Sequence, residues 1–119
     1  MFNQYISLKN LINYLFKMIN YVLVSVSNKK NILPMISFLY KKNYTILSTG
    51  GTYRHIYDNL KEVRDRLEQV SDFTGFPEIL SGRVKTLHPK IYGGLLWDDK
   101  FNCENITKID MVIVNLYPF

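Results

Sequence analysis

The chain has 119 residues, 47% of them hydrophobic and 21% charged, a globular balance that suits one compact domain and leaves little room for a second core. Its 15 Lys and Arg exceed its 10 Asp and Glu, a formal net charge of +5 that favours an acidic ligand or nucleic acid, while no apolar stretch reaches the roughly 20 residues that a membrane-spanning helix needs. Cys103 is the single cysteine, which excludes an internal disulfide and a cysteine metal cage and points to a reducing compartment.

Residues 1–20 carry no acid and only Lys9 and Lys17 as charges, with Leu8, Leu11, Ile12, Leu15, Phe16 and Ile19 at helical spacing. They predict a helical N-terminal extension, since Asn and Lys interrupt the apolar positions and no small-residue cleavage site follows, as a secretory signal would require. An equal alternative starts translation at Met18, just ahead of the first strand. Tyr21-Val22-Leu23-Val24 is a β-branched run of the kind that buries both faces, so it predicts a central parallel strand. The polar segment Ser25-Val26-Ser27-Asn28-Lys29 then leads to a helix with Ile32, Ile36, Leu39 and Tyr40 on one face, Pro34 in its first turn, and Asn28 or Asn31 as cap.

Tyr44-Thr45-Ile46-Leu47 predicts the second strand, and Ser48-Thr49-Gly50-Gly51-Thr52 leads into a second helix that runs through Ile56. Strands joined in this way lie parallel, so both polar loops emerge at the carboxyl edge, where open α/β sheets bind ligands. Asn59 to Val70 reads as a helix and then a short strand, and Ser71 to Ser81 as an irregular connection. That connection delivers the loop Gly82-Arg83-Val84-Lys85-Thr86-Leu87-His88-Pro89. Ile91 to Trp97 is apolar, and its Gly93-Gly94 pair admits close approach of backbone or ligand; Trp97 reads as structural. Met111-Val112-Ile113-Val114 predicts a third buried strand, followed by the polar-edge segment Asn115-Leu116-Tyr117-Pro118-Phe119.

The chemistry concentrates in these loops. Small hydroxyl residues, glycines that expose backbone N–H groups and helix starts with free donors together suit phosphate. Lys29, Arg83 and Lys85 lie inside the loops, so a localised anion site fits the net charge better than a nucleic-acid face. Lys85, flanked by Arg83, Thr86 and His88, reads as a ligand or proton-steering group. His88 precedes a proline and is held extended, which leaves loop support and acid–base chemistry both open. No spacing of His and carboxylates suggests a metal, and no Ser-His-Asp or Cys-His arrangement is evident.

Five segments, SVSNK, STGGT, SDFTGFPE, GRVKTLHPK and NLYPF, resemble in order and spacing the inosinate (IMP) cyclohydrolase region of the bifunctional purine-biosynthesis enzymes, a region similar in fold to methylglyoxal synthase. The resemblance runs from about Tyr21 to Phe119. It implies an open, mainly parallel α/β sheet between flanking helices, a three-layer sandwich, and closure of 5-formamidoimidazole-4-carboxamide ribotide to IMP with loss of water, without metal or organic cofactor. It further implies a linked domain that transfers a formyl group from 10-formyltetrahydrofolate, a homodimer and a cytosolic enzyme. Carried onto this chain, Ser25, Ser27, Lys29, Ser48, Thr49, Gly50, Gly51 and Thr52 would hold the nucleotide, chiefly its phosphate, and Arg83 and Thr86 would line the same site. Lys85, Asn115 and Tyr117 would be the catalytic residues.

The chain departs from the family at Asn28, Lys30 and Asn31, where an Asp, a small hydroxyl residue and a Gly are usual, and its Asn59-to-Val70 segment is longer and more charged. Residues 21–119 are expected to be a partial cyclohydrolase domain, since the family continues with a further Asp and Lys of the site and then the transformylase domain; little activity is expected from the piece alone. The alternatives of the same fold are methylglyoxal synthase, which depends on carboxylates near its phosphate loop that STGGT lacks, and a non-catalytic nucleotide-sensing domain.

Overall fold

The computed structural model describes residues 8, 20–80, 86, 88–100 and 105–115. The expectations for the N-terminal extension, Met18, Arg83, Lys85, Cys103 and Tyr117 lie outside the described residues. Within them, four strands form one parallel sheet in the order β3-β2-β1-β4. Strand β1 (Asn20–Ser25) lies between β2 (Tyr44–Ser48) and β4 (Met111–Val114), with β3 (Leu67–Gln69) outside β2. Val22 faces Ile46 on one side and Met111 on the other. The central place predicted for the first strand follows from its composition. Val22, Leu23 and Val24 are all buried, so neither face could stand in water.

Helices α1 (Ile32–Lys41) and α2 (Gly50–Asn59) cover one face of the sheet. Ile32, Ile36, Leu39 and Ile56 pack there on Val22, Val24 and Ile46. Helices α3 (Val70–Thr74) and α4 (Pro89–Leu95) serve the other face, where Val70 and Ile91 join Leu23, Leu47 and Ile109. Helices on both faces of a parallel sheet make the three-layer α/β sandwich that was expected. Gly94 sets how close α4 can lie. A Cβ there would stand 2.6 Å from the Thr107 carbonyl oxygen, so of the pair Gly93-Gly94 it is Gly94 that serves close packing of backbone.

Three local expectations are corrected, and the helix-then-strand reading of Asn59 to Val70 is refined. Asn31 occupies the N-cap position of α1 but with φ 63° and no side-chain cap bond, because left-handed backbone departs from the extended geometry that aims a capping oxygen at the first-turn amides. Asn28 instead accepts the Lys30 N–H within the loop, at 3.0 Å. Between Asn59 and Val70 the helix is a 3₁₀ turn, Lys61–Arg66. Arg64 donates to the Tyr57 carbonyl, and the Tyr40 hydroxyl donates to Asp65 at 2.8 Å. These tethers draw the segment against α1 and α2 while Val63 stays buried. The connection after β3 begins as the short helix α3, which ends at Gly75 in the left-handed conformation, φ 75°. Glycine adopts that conformation at little cost. Finally, among the described residues β4 is an edge strand and not a buried one. Its Val112 and Val114 are exposed.

On β3, Glu68 lies near Tyr21 and Asp72. Desolvation, then the Asp72 charge, pushes its carboxyl above the usual range; burial, then the Glu68 charge, likewise pushes the Tyr21 phenol up. A carboxyl that holds its proton more tightly folded than unfolded costs stability once ionised, so the domain gains stability as pH falls from neutral through the raised value. Glu68→Gln should stabilise the chain at pH 7. The side chain is largely exposed, so the gain should be about 0.5 kcal/mol at most. Urea midpoints of both proteins at pH 7 and pH 5 test this, and a variant less stable at both pH values rejects it.

Candidate functional site

The carboxyl ends of β1, β2 and β4 converge because the strands are parallel and adjacent. Side chains of the loops that follow them tie these ends into one clasp. The Ser25 and Thr49 hydroxyls lie 3.0 Å apart in a hydrogen bond. Thr52, almost wholly buried, accepts the Val26 N–H and donates to the Val26 carbonyl, both at 3.2 Å. Asn115, just beyond β4, accepts the Ser27 N–H and hydroxyl, each at 2.9 Å, and donates to the Asn28 carbonyl at 2.8 Å.

This clasp changes what the start of α2 offers. Thr49 is the N-cap residue, yet its side chain makes no cap bond, because its hydroxyl is engaged with Ser25. By helix geometry the amides of Gly50, Gly51 and Thr52 have no partner within the helix, and the helix dipole leaves partial positive charge there. Lys29 adds a full charge. Its Nζ donates to the Val26 carbonyl at 3.2 Å and stands 3.6 Å from where a Gly51 Cβ would be. An ammonium group, first-turn amides and hydroxyls in one place are the donor set that suits phosphate. From Gly50 and Gly51 an open groove of about 670 Å³ continues along Tyr53 and Arg54 to Tyr57 and Asp58, with Gln69 also lining it.

The residues named from sequence therefore divide. Ser25, Ser27, Lys29, Thr49, Gly50, Gly51, Thr52 and Asn115 gather at one edge. Ser48 stands behind them, fully buried, with its hydroxyl unpartnered among the described residues. Asn115 spends both oxygen contacts and one N–H on the first loop, which leaves one amide N–H for another partner. Thr86 is described, with its carbonyl accepting the His88 N–H at 2.9 Å, and no hydrogen bond among the described residues joins it to the clasp. His88 supports the loop. It is extended, caps α4, and accepts the Lys90 N–H on Nδ1 at 3.1 Å.

Glu78 is the site residue that the sequence did not single out. Its carboxylate accepts the Gly50 N–H at 2.9 Å. The contact spans 28 residues, so no local pattern announces it, although an acid beside an anion-binding helix start is a hint once the fold is known.

An open parallel sheet, flanked by helices and with hydroxyl loops clasped at its carboxyl edge, defines a three-layer α/β domain whose polar loops gather at the strand ends. The model of the MGS-like domain family matches residues 31–119, and the chain belongs to that family. It is 53% identical over 109 residues to the bifunctional purine biosynthesis protein PurH of Clostridium acetobutylicum, a match over 86% of this chain and 21% of that protein. It is also 53% identical over 104 residues to the PurH of Leptospira biflexa, covering 82% of this chain and 20% of the relative. The chain thus spans about a fifth of the length of these relatives. Among solved structures, the crystal structure of ForH matches with a TM-score of 0.68 and 31% identity, over 85% of this chain and 54% of that one.

Proposed function

We propose that the chain is the nucleotide-binding part of an IMP cyclohydrolase in a bifunctional purine biosynthesis enzyme, closing 5-formamidoimidazole-4-carboxamide ribotide to IMP. The clasp that joins Ser25 to Thr49, Val26 to Thr52 and Ser27 to Asn115 carries this reading, because it sets hydroxyls, first-turn amides and Lys29 around one anion seat. The ribotide phosphate sits on α2 beside Lys29, and the base lies toward Asn115. The carboxamide nitrogen then attacks the formyl carbon, the carbon–nitrogen bond forms, and the formyl oxygen leaves as water.

Both reacting groups belong to one molecule. Holding them in near-attack geometry therefore supplies several kcal/mol of the barrier before any proton moves. Asn115 orients the formyl oxygen. Lys85 and Tyr117, assigned by the family resemblance, stabilise the developing oxyanion and relay protons. The step needs neither metal nor organic cofactor. In the longer protein a second domain supplies the formyl group from 10-formyltetrahydrofolate, and the assembly works as a cytosolic homodimer.

Calorimetric titration of IMP into the chain tests the reading. Binding is expected, and Lys29→Ala should weaken it about tenfold, since a hydrogen bond to a charged group contributes about 1.5 kcal/mol or more. An absence of binding, or equal affinity of the variant, rejects it.

A further inference from the structure

The clasp leaves the first turn of α2 open to an anion, and an anion of the chain itself is already there. Glu78 accepts the Gly50 N–H at 2.9 Å, and both of its carboxylate oxygens lie within 3.2 Å of where a Gly50 Cβ would stand. A phosphate that takes the Gly50 amide meets this carboxylate, and the two negative charges exclude each other.

Burial holds the segment that carries Glu78 only weakly, although Ile79 makes a single β-bridge. Residues 75–80 are all exposed, with the apolar side chains of Phe76, Ile79 and Leu80 facing solvent. Leu80 takes φ 55°, a left-handed conformation that is unfavourable for a branched residue. At its N-terminal end, Gly75 and the bonds between Thr74 Oγ1 and the Phe76 backbone form a firm anchor. Little burial opposes a swing of the tip about that anchor.

We propose that Glu78 is a built-in competitor for the phosphate seat, so that a phosphate-bearing ligand binds only as residues 75–80 move off α2. This rests on the nucleotide reading above and adds a conformational step to it. The carboxylate keeps the helix start neutralised while the site is empty, and its release links occupancy of the seat to the position of the strap.

The test titrates inorganic phosphate and IMP, separately, into the 119-residue chain and into its Glu78→Gln and Glu78→Ala variants. A closed state held by one carboxylate at a helix start lowers apparent affinity by the fraction of molecules that are open. Removing the charge should therefore tighten both ligands about threefold to sixfold, with Ala at least as effective as Gln, which keeps a neutral acceptor. In the unsubstituted chain, hydrogen exchange across residues 75–80 should quicken when IMP is added. Weaker binding by both variants would make Glu78 a ligand-contacting residue and overturn the proposal; so would unchanged affinity. If the unsubstituted chain and both variants all fail to bind either ligand, the nucleotide reading itself falls and the competitor falls with it.

Discussion

Gly94→Ala is expected to lower the stability of the domain by about 2 kcal/mol, the larger of two opposed effects. Within a helix, alanine is favoured over glycine by up to about 1 kcal/mol, and by less near the end, where Gly94 sits. Against that, the new Cβ would sit 2.6 Å from the Thr107 carbonyl oxygen and within 2.9 Å of two Ile109 side-chain atoms. The Thr107 oxygen is backbone, and Ile109 is buried in the core beneath α4, so neither can give way without moving the chain that leads into β4. Overpacking of this kind costs about 1–3 kcal/mol and sometimes more. The bond from the Ile109 N–H to the Gly94 carbonyl, at 3.0 Å, would lengthen as well. Gly93→Ala is the matched control. The atoms nearest its Cβ belong to the Ile106 side chain, at 3.1 Å or more, which can rotate, so its effect should be neutral or slightly stabilising. Urea unfolding of the three proteins decides the matter: a Gly94→Ala midpoint equal to that of the unsubstituted chain would show that α4 is free to shift.

The first half of the domain is legible in its sequence because each local signal has a local cause. Val22 to Val24 and Thr45 to Leu47 are short β-branched and aliphatic runs bounded by polar turns, and the crossover rule for parallel strands then places both hydroxyl loops at one edge. Lys29 could be placed at that edge for the same reason. Where tertiary contacts decide, the sequence is silent. Met111 to Val114 has the composition of a buried strand, yet Val112 is 43% and Val114 62% exposed; burial on both faces depends on what packs there, and a four-residue run carries no record of it. The positive φ of Asn31 removes a cap that its residue type predicts. Glu78 meets Gly50 only because the chain folds back after α3. In the clasp itself, residue types could name Thr49 as an N-cap, but only the proximity of Ser25 shows that its hydroxyl is diverted.

Thr52→Val should destabilise the domain by about 2 kcal/mol and weaken IMP binding by more than its loss of stability alone explains. The substitution keeps the branched shape of the side chain and puts a methyl group where the hydroxyl was, so the clasp is cut. Thr52 Oγ1 is the partner of both the N–H and the carbonyl of Val26. The carbonyl still receives Lys29 Nζ at 3.2 Å, but the N–H of Val26 lies in a buried bond, and leaving such a donor unpaired costs about 1–3 kcal/mol. The chain can relieve that cost by moving the first loop away from α2 toward solvent. That movement carries Ser27 and Lys29 off the anion seat, so affinity falls with it. Thr52→Ser keeps both hydrogen bonds and loses only a methyl group, so it should bind IMP nearly as well as the unsubstituted chain despite a modest loss of stability. Affinity measured well below the unfolding transition separates the two effects. If Thr52→Val bound IMP as tightly as Thr52→Ser, the bond between the loops would be a feature of folding alone, and the phosphate seat would owe its geometry to the strands that precede it.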